Sequence, residues 1–332
     1  MSVGAWNLLE YNSADVQGGA VFNDGGYVDA TNTSFRFNAA LDGNGGAIRS
    51  AGNGTLSIFR SEFLRNRAAI GYGGAISDIG TGQLWVTQSQ FSQNYATHGG
   101  AIHAASLPWS ATVVATIDAV TFDWNKATGY GGAIYYEPAD GELTIVNSTF
   151  SQNSGDVGGA LYNSRLNPFG IGRIEVASST FYKNAALDGA TIYNGRPLEI
   201  NNSIVTDSND LTVGDVDNAC RPVEPITGTG NLIGIAPRLG SGGLVDVSCN
   251  SSATFSGGYV TSFDTSLGSH GGPEVGAFNA PMKTHALFAG SNAIDFAGAT
   301  CLAPDGSPLS VDQQGDPRPQ GAACDAGAVE QR

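Results

Sequence analysis

The sequence feature that most constrains the fold is a doubled glycine followed by alanine and an aliphatic residue. Its copies begin at Gly18, Gly45, Gly73, Gly99, Gly131 and Gly158, and a degenerate copy begins at Gly189. A second element, Phe-x-x-Asn, stands upstream of the later copies at Phe35/Asn38, Phe63/Asn66, Phe91/Asn94, Phe122/Asn125, Phe150/Asn153 and Phe181/Asn184. Two motifs that return in fixed order every 26 to 32 residues are the signature of a repeat protein with stacked coils.

A third element, aliphatic-x-aliphatic, precedes most Phe-x-x-Asn copies, as in Leu56-Ser57-Ile58. We therefore predict an all-β fold, a right-handed parallel β-helix with three short strands per coil. Because successive strand side chains point to opposite faces, the aliphatic residue after Gly-Gly-Ala and the Phe of Phe-x-x-Asn should both face the core. The glycines suit a tight corner that needs positive φ or close backbone approach.

The asparagines of the second element form a predicted structural column. Its members are Asn38, Asn66, Asn94, Asn125, Asn153 and Asn184. A buried amide at a turn can donate and accept hydrogen bonds toward its counterparts in the coils above and below, which satisfies groups that would be costly to leave unpaired. We expect a continuous amide ladder.

Composition limits the function classes. The chain has 332 residues and a formal charge of −15, which argues against binding nucleic acid or an anionic membrane through a broad basic surface. No run of eighteen apolar residues suggests a membrane span, and the first residues do not resemble a signal peptide. Because the chain opens inside a repeat, we expect it to be a piece of an extracellular or surface protein, with signal and anchor outside it.

All four cysteines follow the repeats. Cys220, Cys249, Cys301 and Cys324 permit three connectivities, of which Cys220–Cys249 and Cys301–Cys324 are the simplest. Two disulfides would indicate an oxidising compartment, and free buried thiols are the alternative. No Cys-x-x-Cys or His pairing accompanies them, so a zinc site is not expected.

The repeated Gly-Gly-Ala-Ile and Phe-x-x-Asn resemble the repeats of chlamydial polymorphic outer-membrane proteins and of related bacterial β-helix surface proteins, over roughly residues 9–205. This resemblance implies a secreted or surface-displayed passenger, often an adhesin. The autotransporter barrel of the chlamydial members is absent from this sequence.

The last third loses the repeat. Its segments Gly290–Asp295 and Asp312–Pro319 resemble the ending of bacterial β-helix surface proteins that carry varied C-terminal anchors. We accordingly divide the chain into β-helix repeats over 1–206 and final coils with a loop-rich, disulfide-containing cap over 207–332. A cap would cover unpaired strand edges at a solenoid end. The resemblance implies structural roles for Asp295, Asp312, Arg318 and Asp325, with Arg318 bridging a buried carboxylate.

Two sets of residues are candidates for ligand binding. The outward position after the core aliphatic residue holds Tyr135, Tyr162 and Tyr193 in successive coils, which could form an aromatic strip for sugar rings or could stack on one another and on a covering loop. Basic residues cluster in one predicted coil and the coil before it, and these could bind carboxylates or sulfates of an acidic glycan or form a solvated face balanced by Glu62. The cluster comprises Arg36, Arg49, Arg60, Arg65 and Arg67.

No catalytic constellation stands out. Asp118 with Asp123, Asp140 with Glu142, and His98 with His103 are close enough in sequence to share a site, but pairs of this kind also arise by chance among thirty carboxylates. Neither a calcium-binding repeat nor a cofactor motif is present, so we expect no metal and no cofactor.

The sequence thus favours a secreted or surface-anchored, non-catalytic β-helix that acts as an adhesin, glycan-binding module or structural passenger. One alternative is a polysaccharide lyase or glycoside hydrolase acting along a lateral face. Another is an extracellular filament that self-associates through solenoid ends. The expected partner is an extracellular polysaccharide or a host or cell-surface ligand, with no nucleic acid and no transmembrane segment.

Overall fold

The computed structural model is a parallel β-solenoid, which confirms the predicted fold class. It describes residues 6–106, 112–165, 172–206, 209–210, 220–224, 226–234, 268, 274–275 and 280–331. The described residues contain strands, bridges and turns but no helix. Accordingly, no helix in this part of the chain is long and apolar enough to cross a membrane.

Each coil passes in turn through four parallel sheets, so a short strand after the asparagine is added to the three predicted. We number the sheets in chain order and number the coils by their strand in sheet 1. Sheet 1 contains β1 (Asn7–Glu10), β5 (Thr33–Arg36), β9 (Glu62–Leu64), β13 (Gln90–Ser92), β17 (Thr121–Asp123), β21 (Thr149–Ser151), β24 (Thr180–Tyr182), β28 (Ile204–Thr206) and β32 (Leu232–Gly234). Sheet 2 contains β2 (Ser13–Ala14), β6 (Ala39–Ala40), β10 (Arg67–Tyr72), β14 (Tyr95–His98) and β18 (Lys126–Ala127), and it is continued by the pair β25 (Ala185–Ala186) and β29 (Asn209–Asp210).

The two longer sheets complete the coil. Sheet 3 contains β3 (Val21–Asp24), β7 (Ile48–Gly52), β11 (Ile76–Gly80), β15 (Ile102–Ala105), β19 (Ile134–Glu137), β22 (Leu161–Asn163), β26 (Ile192–Asn194) and β30 (Cys220–Pro222). Sheet 4 contains β4 (Tyr27–Thr31), β8 (Thr55–Phe59), β12 (Gln83–Thr87), β16 (Thr112–Asp118), β20 (Asp140–Val146), β23 (Arg173–Ala177), β27 (Leu198–Asn201) and β31 (Ile226–Thr227). A separate antiparallel pair joins β33 (Glu274–Val275) to β34 (Ala280–Pro281).

Equivalent repeat positions lie in register from coil to coil. Ile76 pairs with Ile48 and Ile102, and Phe91 pairs with Phe63 and Phe122. The phenylalanine rings stack, for example with centroids 4.5 Å apart and planes 1° apart between Phe63 and Phe91. The core is thus a set of columns of identical or similar side chains, as the alternation of the strands predicts.

The asparagine column forms a ladder of buried amides. Asn94 Nδ2 donates to Asn125 Oδ1 (2.9 Å) and to the carbonyl of Phe63 (3.0 Å), while Asn94 Oδ1 accepts from the backbone N–H (2.9 Å) and Nδ2 (3.0 Å) of Asn66. Every polar atom of this side chain is therefore satisfied by the coils on either side.

The residue before each of these asparagines has positive φ although it is not glycine. This column comprises Phe37, Arg65, Gln93, Trp124, Gln152 and Lys183. Left-handed backbone costs a non-glycine residue about 1 kcal/mol, and the amide ladder holds the corner in that conformation. The corner directs these side chains out of the core, where Arg65, Gln93, Trp124 and Lys183 are exposed.

The described part of the C-terminal segment lies along sheet 1, so it covers a lateral face as well as strands near the solenoid end. Thr121 Oγ1 donates to the carbonyl of Lys283 (2.6 Å), His285 Nε2 lies 3.0 Å from Ser151 Oγ, and the N–H of Ala328 donates to Thr180 Oγ1 (2.9 Å). A small apolar cluster packs Leu287, Ala293, Ala326, Ala328 and Val329 against Ile204 and Leu232. The segment therefore contacts coils five to nine.

Within this segment, Cys301 and Cys324 form the predicted disulfide. Cys220 lies on β30, and its predicted partner Cys249 lies outside the described residues. Arg318 pairs with Glu330 at 2.6 Å in a fully buried ion pair, and Asp325 Oδ1 accepts a hydrogen bond from the N–H of Asp295 (2.7 Å). Asp312 Oδ2 accepts from the N–H of Glu330 (2.8 Å), so the charged groups of the segment hold its loops together.

Candidate functional site

The predicted tyrosine column is present on the outer side of sheet 3. Tyr135 pairs in register with Tyr162, and Tyr162 pairs with Tyr193. Tyr135 is only 3% exposed and Tyr162 only 6%, whereas Tyr193 is half-buried. The tyrosines thus stand on the predicted face, but a second set of aromatic residues covers part of it.

The covering residues come from the position just before each glycine pair. Tyr72, His98 and Tyr130 occupy this position in coils three, four and five, and the glycine corner brings them beside the tyrosine column. The ring centroids of His98 and Tyr130 are 4.6 Å apart, and those of Tyr130 and Tyr162 are also 4.6 Å apart. This set could have been found in the sequence by aligning the residue before each glycine pair.

Together the two sets form a continuous aromatic ridge across five coils. The ridge comprises Tyr72, His98, Tyr130, Tyr162 and Tyr193. The rings of Tyr162 and Tyr193 are 4.7 Å apart with planes 8° apart, and parallel rings at that distance must overlap face to face because coplanar rings would clash. The ridge therefore presents ring edges and hydroxyl groups to the side.

Tyr162 of the ridge and Tyr135 beside it are buried tyrosines. Burial raises the pKa of Tyr162 and of Tyr135, so both phenols stay protonated. The hydroxyl of Tyr135 donates to Glu137 Oε2 (3.0 Å), and burial raises the pKa of that carboxyl.

His103 lies under the ridge, one coil before Tyr135. Its Nδ1 is 3.3 Å from Ser77 Oγ, and its Nε2 is 4.0 Å from Glu137 Oε2. This row resembles the order of a nucleophile, base and acid, but Ser77 has no exposed surface and so cannot reach a substrate. The cluster is accordingly a buried polar layer beneath the ridge.

The predicted arginine cluster divides into two parts. Arg49 is buried on sheet 3 and donates to the backbone carbonyls of Ser50 and Ser77, and its burial lowers the pKa of its guanidinium. Nearby, burial raises the pKa of Asp78 to about 6 although Arg49 opposes the shift. Arg49 is thus separated from the exposed arginines of coil three.

Those exposed arginines contact uncharged partners in the next coil. Arg60 Nε donates to Gln88 Oε1 (3.1 Å), Arg65 Nε donates to Gln93 Oε1 (2.6 Å), and the Arg67 guanidinium lies 4.9 Å from the Tyr95 ring centroid. Arg36, in contrast, pairs with Glu62 at 2.6 Å. The carboxylate expected to balance the cluster is therefore engaged by Arg36.

A shallow cavity of about 300 Å³ lies on sheet 4, and its lining residues were not predicted from the sequence. It is lined by Arg173, Ile174, Glu175, Pro197, Leu198, Glu199 and Thr227. Arg173 Nη2 contacts Glu142 Oε2 (3.0 Å) and Glu175 Oε1 (2.9 Å). The feature of the sequence that could have predicted this cavity is the middle residue of aliphatic-x-aliphatic. It is a glutamate in two adjacent copies, at 175 and 199.

The two carboxyl groups of this cluster share a hydrogen bond. Burial and the bond to Glu142 raise the pKa of Glu175 to about 7. Hydrogen bonds from Glu175 and Arg173 outweigh burial and lower the pKa of Glu142. Glycosidases hold their two carboxyl groups roughly 5 Å or more apart, so this pair is too close for that chemistry. No group of three or more His, Cys, Asp or Glu in the described residues is placed to hold a metal ion.

Residues 119–137 match the family model of the Chlamydia polymorphic membrane protein repeat. The match is to one coil. This span contains Phe122, Asn125 and the Gly131-Gly132-Ala133-Ile134 corner, so the family motif is the one that forms the columns of the core. No curated protein and no solved structure matches the chain.

The buried layer under the ridge should make stability depend on pH. Burial, with Arg49 and His98 nearby, lowers the pKa of His103 to about 3, so the unfolded chain binds a proton at higher pH than the folded chain. The His103 contribution is complete above about pH 6.5 and is lost as pH falls toward 3, at up to about 1.4 kcal/mol per pH unit. We expect His103→Phe, which keeps a ring against Tyr135, to remove this loss.

The measurement is the free energy of unfolding of wild type and His103→Phe in urea between pH 7 and pH 4. Asp78 acts in the opposite direction, because its raised pKa adds stability as pH falls through about 6. Since Asp78 is present in both proteins, the difference between the two curves isolates His103. Parallel curves would show that His103 does not titrate as its burial requires.

Proposed function

We propose that this protein is a surface-displayed β-helix that binds an extended glycan along the aromatic ridge. The repeat motif is similar to that of polymorphic membrane proteins, and a β-helix with this motif fits a surface or autotransporter-like passenger. The fold supplies a lateral surface that extends over successive coils, which suits a polymeric ligand better than a compact one.

The observation that carries the proposal is the continuity of the ridge. Five residues in five successive coils, from Tyr72 to Tyr193, extend over roughly 19 Å at the usual strand spacing. Their ring edges repeat at one coil per step, all but His98 carry a hydroxyl group, and Tyr combines an apolar body with a polar tip. A linear polysaccharide, with apolar ring faces and rows of hydroxyl groups, has matching chemistry.

Binding has more support than cleavage. Glu142 and Glu175, which are hydrogen-bonded to each other, lie on sheet 4 and are too close for two-carboxyl hydrolysis. In the row Ser77–His103–Glu137, the serine is fully buried and so cannot reach a substrate. The ridge itself contains aromatic edges and hydrogen-bonding groups but no carboxyl group, and burial lowers the pKa of its one imidazole, His98.

The test is binding of wild type, Tyr130→Ala and Tyr193→Ala to an array of neutral and acidic glycans, followed by titration of the best ligand. We expect each substitution to weaken binding about tenfold, a typical loss for an aromatic contact residue. Tyr27→Ala is the matched control, because Tyr27 is an exposed tyrosine on sheet 4 in the first coil. A wild type that binds no glycan, or that releases sugars from the ligand, would contradict the proposal.

A further inference from the structure

The charges of the chain are unevenly distributed around the solenoid. In coils three, four and five, the equivalent residues 65–72, 93–98 and 124–130 carry Arg65, Arg67, His98 and Lys126 and contain no Asp or Glu, although the whole chain has thirty acidic residues. These segments form sheet 2 and the corner that precedes it. One face of an acidic protein therefore lacks acidic side chains over three successive coils.

The cations on this face are not neutralised by neighbouring carboxylates. Arg65, Arg67 and Lys126 are exposed, and none of them forms an ion pair within the described part of the chain. Elsewhere, Arg173 contacts Glu142 and Arg318 pairs with Glu330. The positive charge on sheet 2 is thus available to an external anion.

Aromatic residues lie between and beside these cations. Arg67, Tyr95 and Lys126 occupy one register position of sheet 2 in coils three, four and five, so the two cationic residues lie in the coils before and after Tyr95. The Arg67 guanidinium lies 4.9 Å from the Tyr95 ring centroid. Trp124, two residues before Lys126, is 56% exposed at the corner. We call Arg65, Arg67, Tyr95, Trp124 and Lys126 the sheet-2 patch.

We propose that the sheet-2 patch binds the carboxylate groups of an acidic polysaccharide, a polyuronate. This inference rests on the proposed glycan binding and names its ligand class, because β10 and β14 run from the patch to Tyr72 and His98 of the ridge. Arginine and lysine bind carboxylates through charge-assisted hydrogen bonds, while exposed aromatic rings pack against the apolar faces of sugars.

The ligand class follows from charge density as well as charge sign. Three uncompensated cations on a protein of net charge −15 are too few to attract the dense phosphate row of a nucleic acid. A polyuronate carries one carboxylate per sugar between apolar ring faces, which matches cations that alternate with an aromatic ring. Neutral polysaccharides would satisfy the aromatic residues but leave the cations without partners.

The experiment compares binding of polygalacturonate and of its carboxyl-reduced, uncharged derivative to wild type and to the double variant Arg67→Gln/Lys126→Gln. We expect wild type to prefer the charged polymer by about tenfold at low salt, from two exposed ion pairs worth roughly threefold each. The double variant, which keeps only Arg65 of the three cations, should lose most of this preference, and the preference of wild type should diminish as sodium chloride is raised.

A double variant with two exposed cations removed from outside the sheet-2 patch and the ridge, Arg60→Gln/Arg173→Gln, is the charge-matched control and should keep the preference. The inference is overturned if wild type binds both polymers equally, if the two double variants lose the preference alike, or if single-stranded DNA competes as well as polygalacturonate. Binding of the reduced polymer that depends on Tyr130 would still support the proposed function in any of these cases. Circular dichroism melting of each variant checks that the fold is retained.

Discussion

Replacement of Gly100 by alanine is expected to destabilise the solenoid by more than about 4 kcal/mol, a loss seen when backbone cannot relax around a new atom. A Cβ at Gly100 would lie 2.1 Å from the carbonyl oxygen of Gly132 and 2.7 Å from backbone atoms of Lys126. Both belong to the next coil, whose strands are paired on both sides, so the coils would have to separate. Thermal melting followed by circular dichroism should show a fall of roughly 10 °C or more.

The matched control is Gly290→Ala in the C-terminal segment. Gly290 has φ +85°, and a Cβ added there would have no heavy atom within 4 Å, so alanine meets backbone strain without a clash. We expect a loss of about 1 kcal/mol. Equal melting temperatures for the two variants would show that inter-coil approach does not require glycine.

Replacement of Asn94 by leucine is the second large expected effect. The change removes four hydrogen bonds of a fully buried amide and leaves the Phe63 carbonyl without the Asn94 donor and the Asn66 backbone N–H without its acceptor. Each buried group left unpaired costs about 1–3 kcal/mol, so we expect a loss of about 4 kcal/mol in the free energy of unfolding. Urea titration of wild type and variant measures it.

Asn12→Leu tests whether the cost depends on position in the ladder. Asn12 is exposed in the first coil and donates only toward Asn38, through its backbone N–H (3.1 Å) and Nδ2 (2.9 Å). The backbone bond survives the substitution, so we expect a loss of at most about 1 kcal/mol. Similar losses at Asn12 and Asn94 would contradict the ladder as the source of stability.

The solenoid was predictable because its information is repeated. The motifs Gly-Gly-Ala-aliphatic and Phe-x-x-Asn recur in the same order in successive coils, so one coil predicts the strands of the others. Strand alternation then places Ile76 and Phe91 in the core. The path of residues 280–331 along sheet 1 was not predictable, because it depends on contacts such as Thr180 with Ala328 between residues 148 apart in sequence. No local periodicity encodes such a contact.

The candidate site was predictable only in part for the same reason. The column of Tyr135, Tyr162 and Tyr193 follows from the repeat. The partial burial of this column does not follow from the repeat. Tyr72 and Tyr130 contact Tyr135 across a glycine corner, and the geometry of that corner is seen only in the structure. The sheet-2 patch combines sequence information, the lack of acids in three segments, with a structural fact, the common register of Arg67, Tyr95 and Lys126.

The course of the C-terminal segment has a mechanical consequence. In a solenoid the inter-coil hydrogen bonds run roughly along the axis, so an axial pull acts on all coil interfaces in series and single coils can separate when the weakest interface breaks. The segment joins coils five to nine through contacts from Thr121 to Leu232, and its own loops are closed by the Cys301–Cys324 bond. Under tension, the first four coils should extend in single steps, whereas coils five to nine should yield together, as a braced unit near the end that carries the segment.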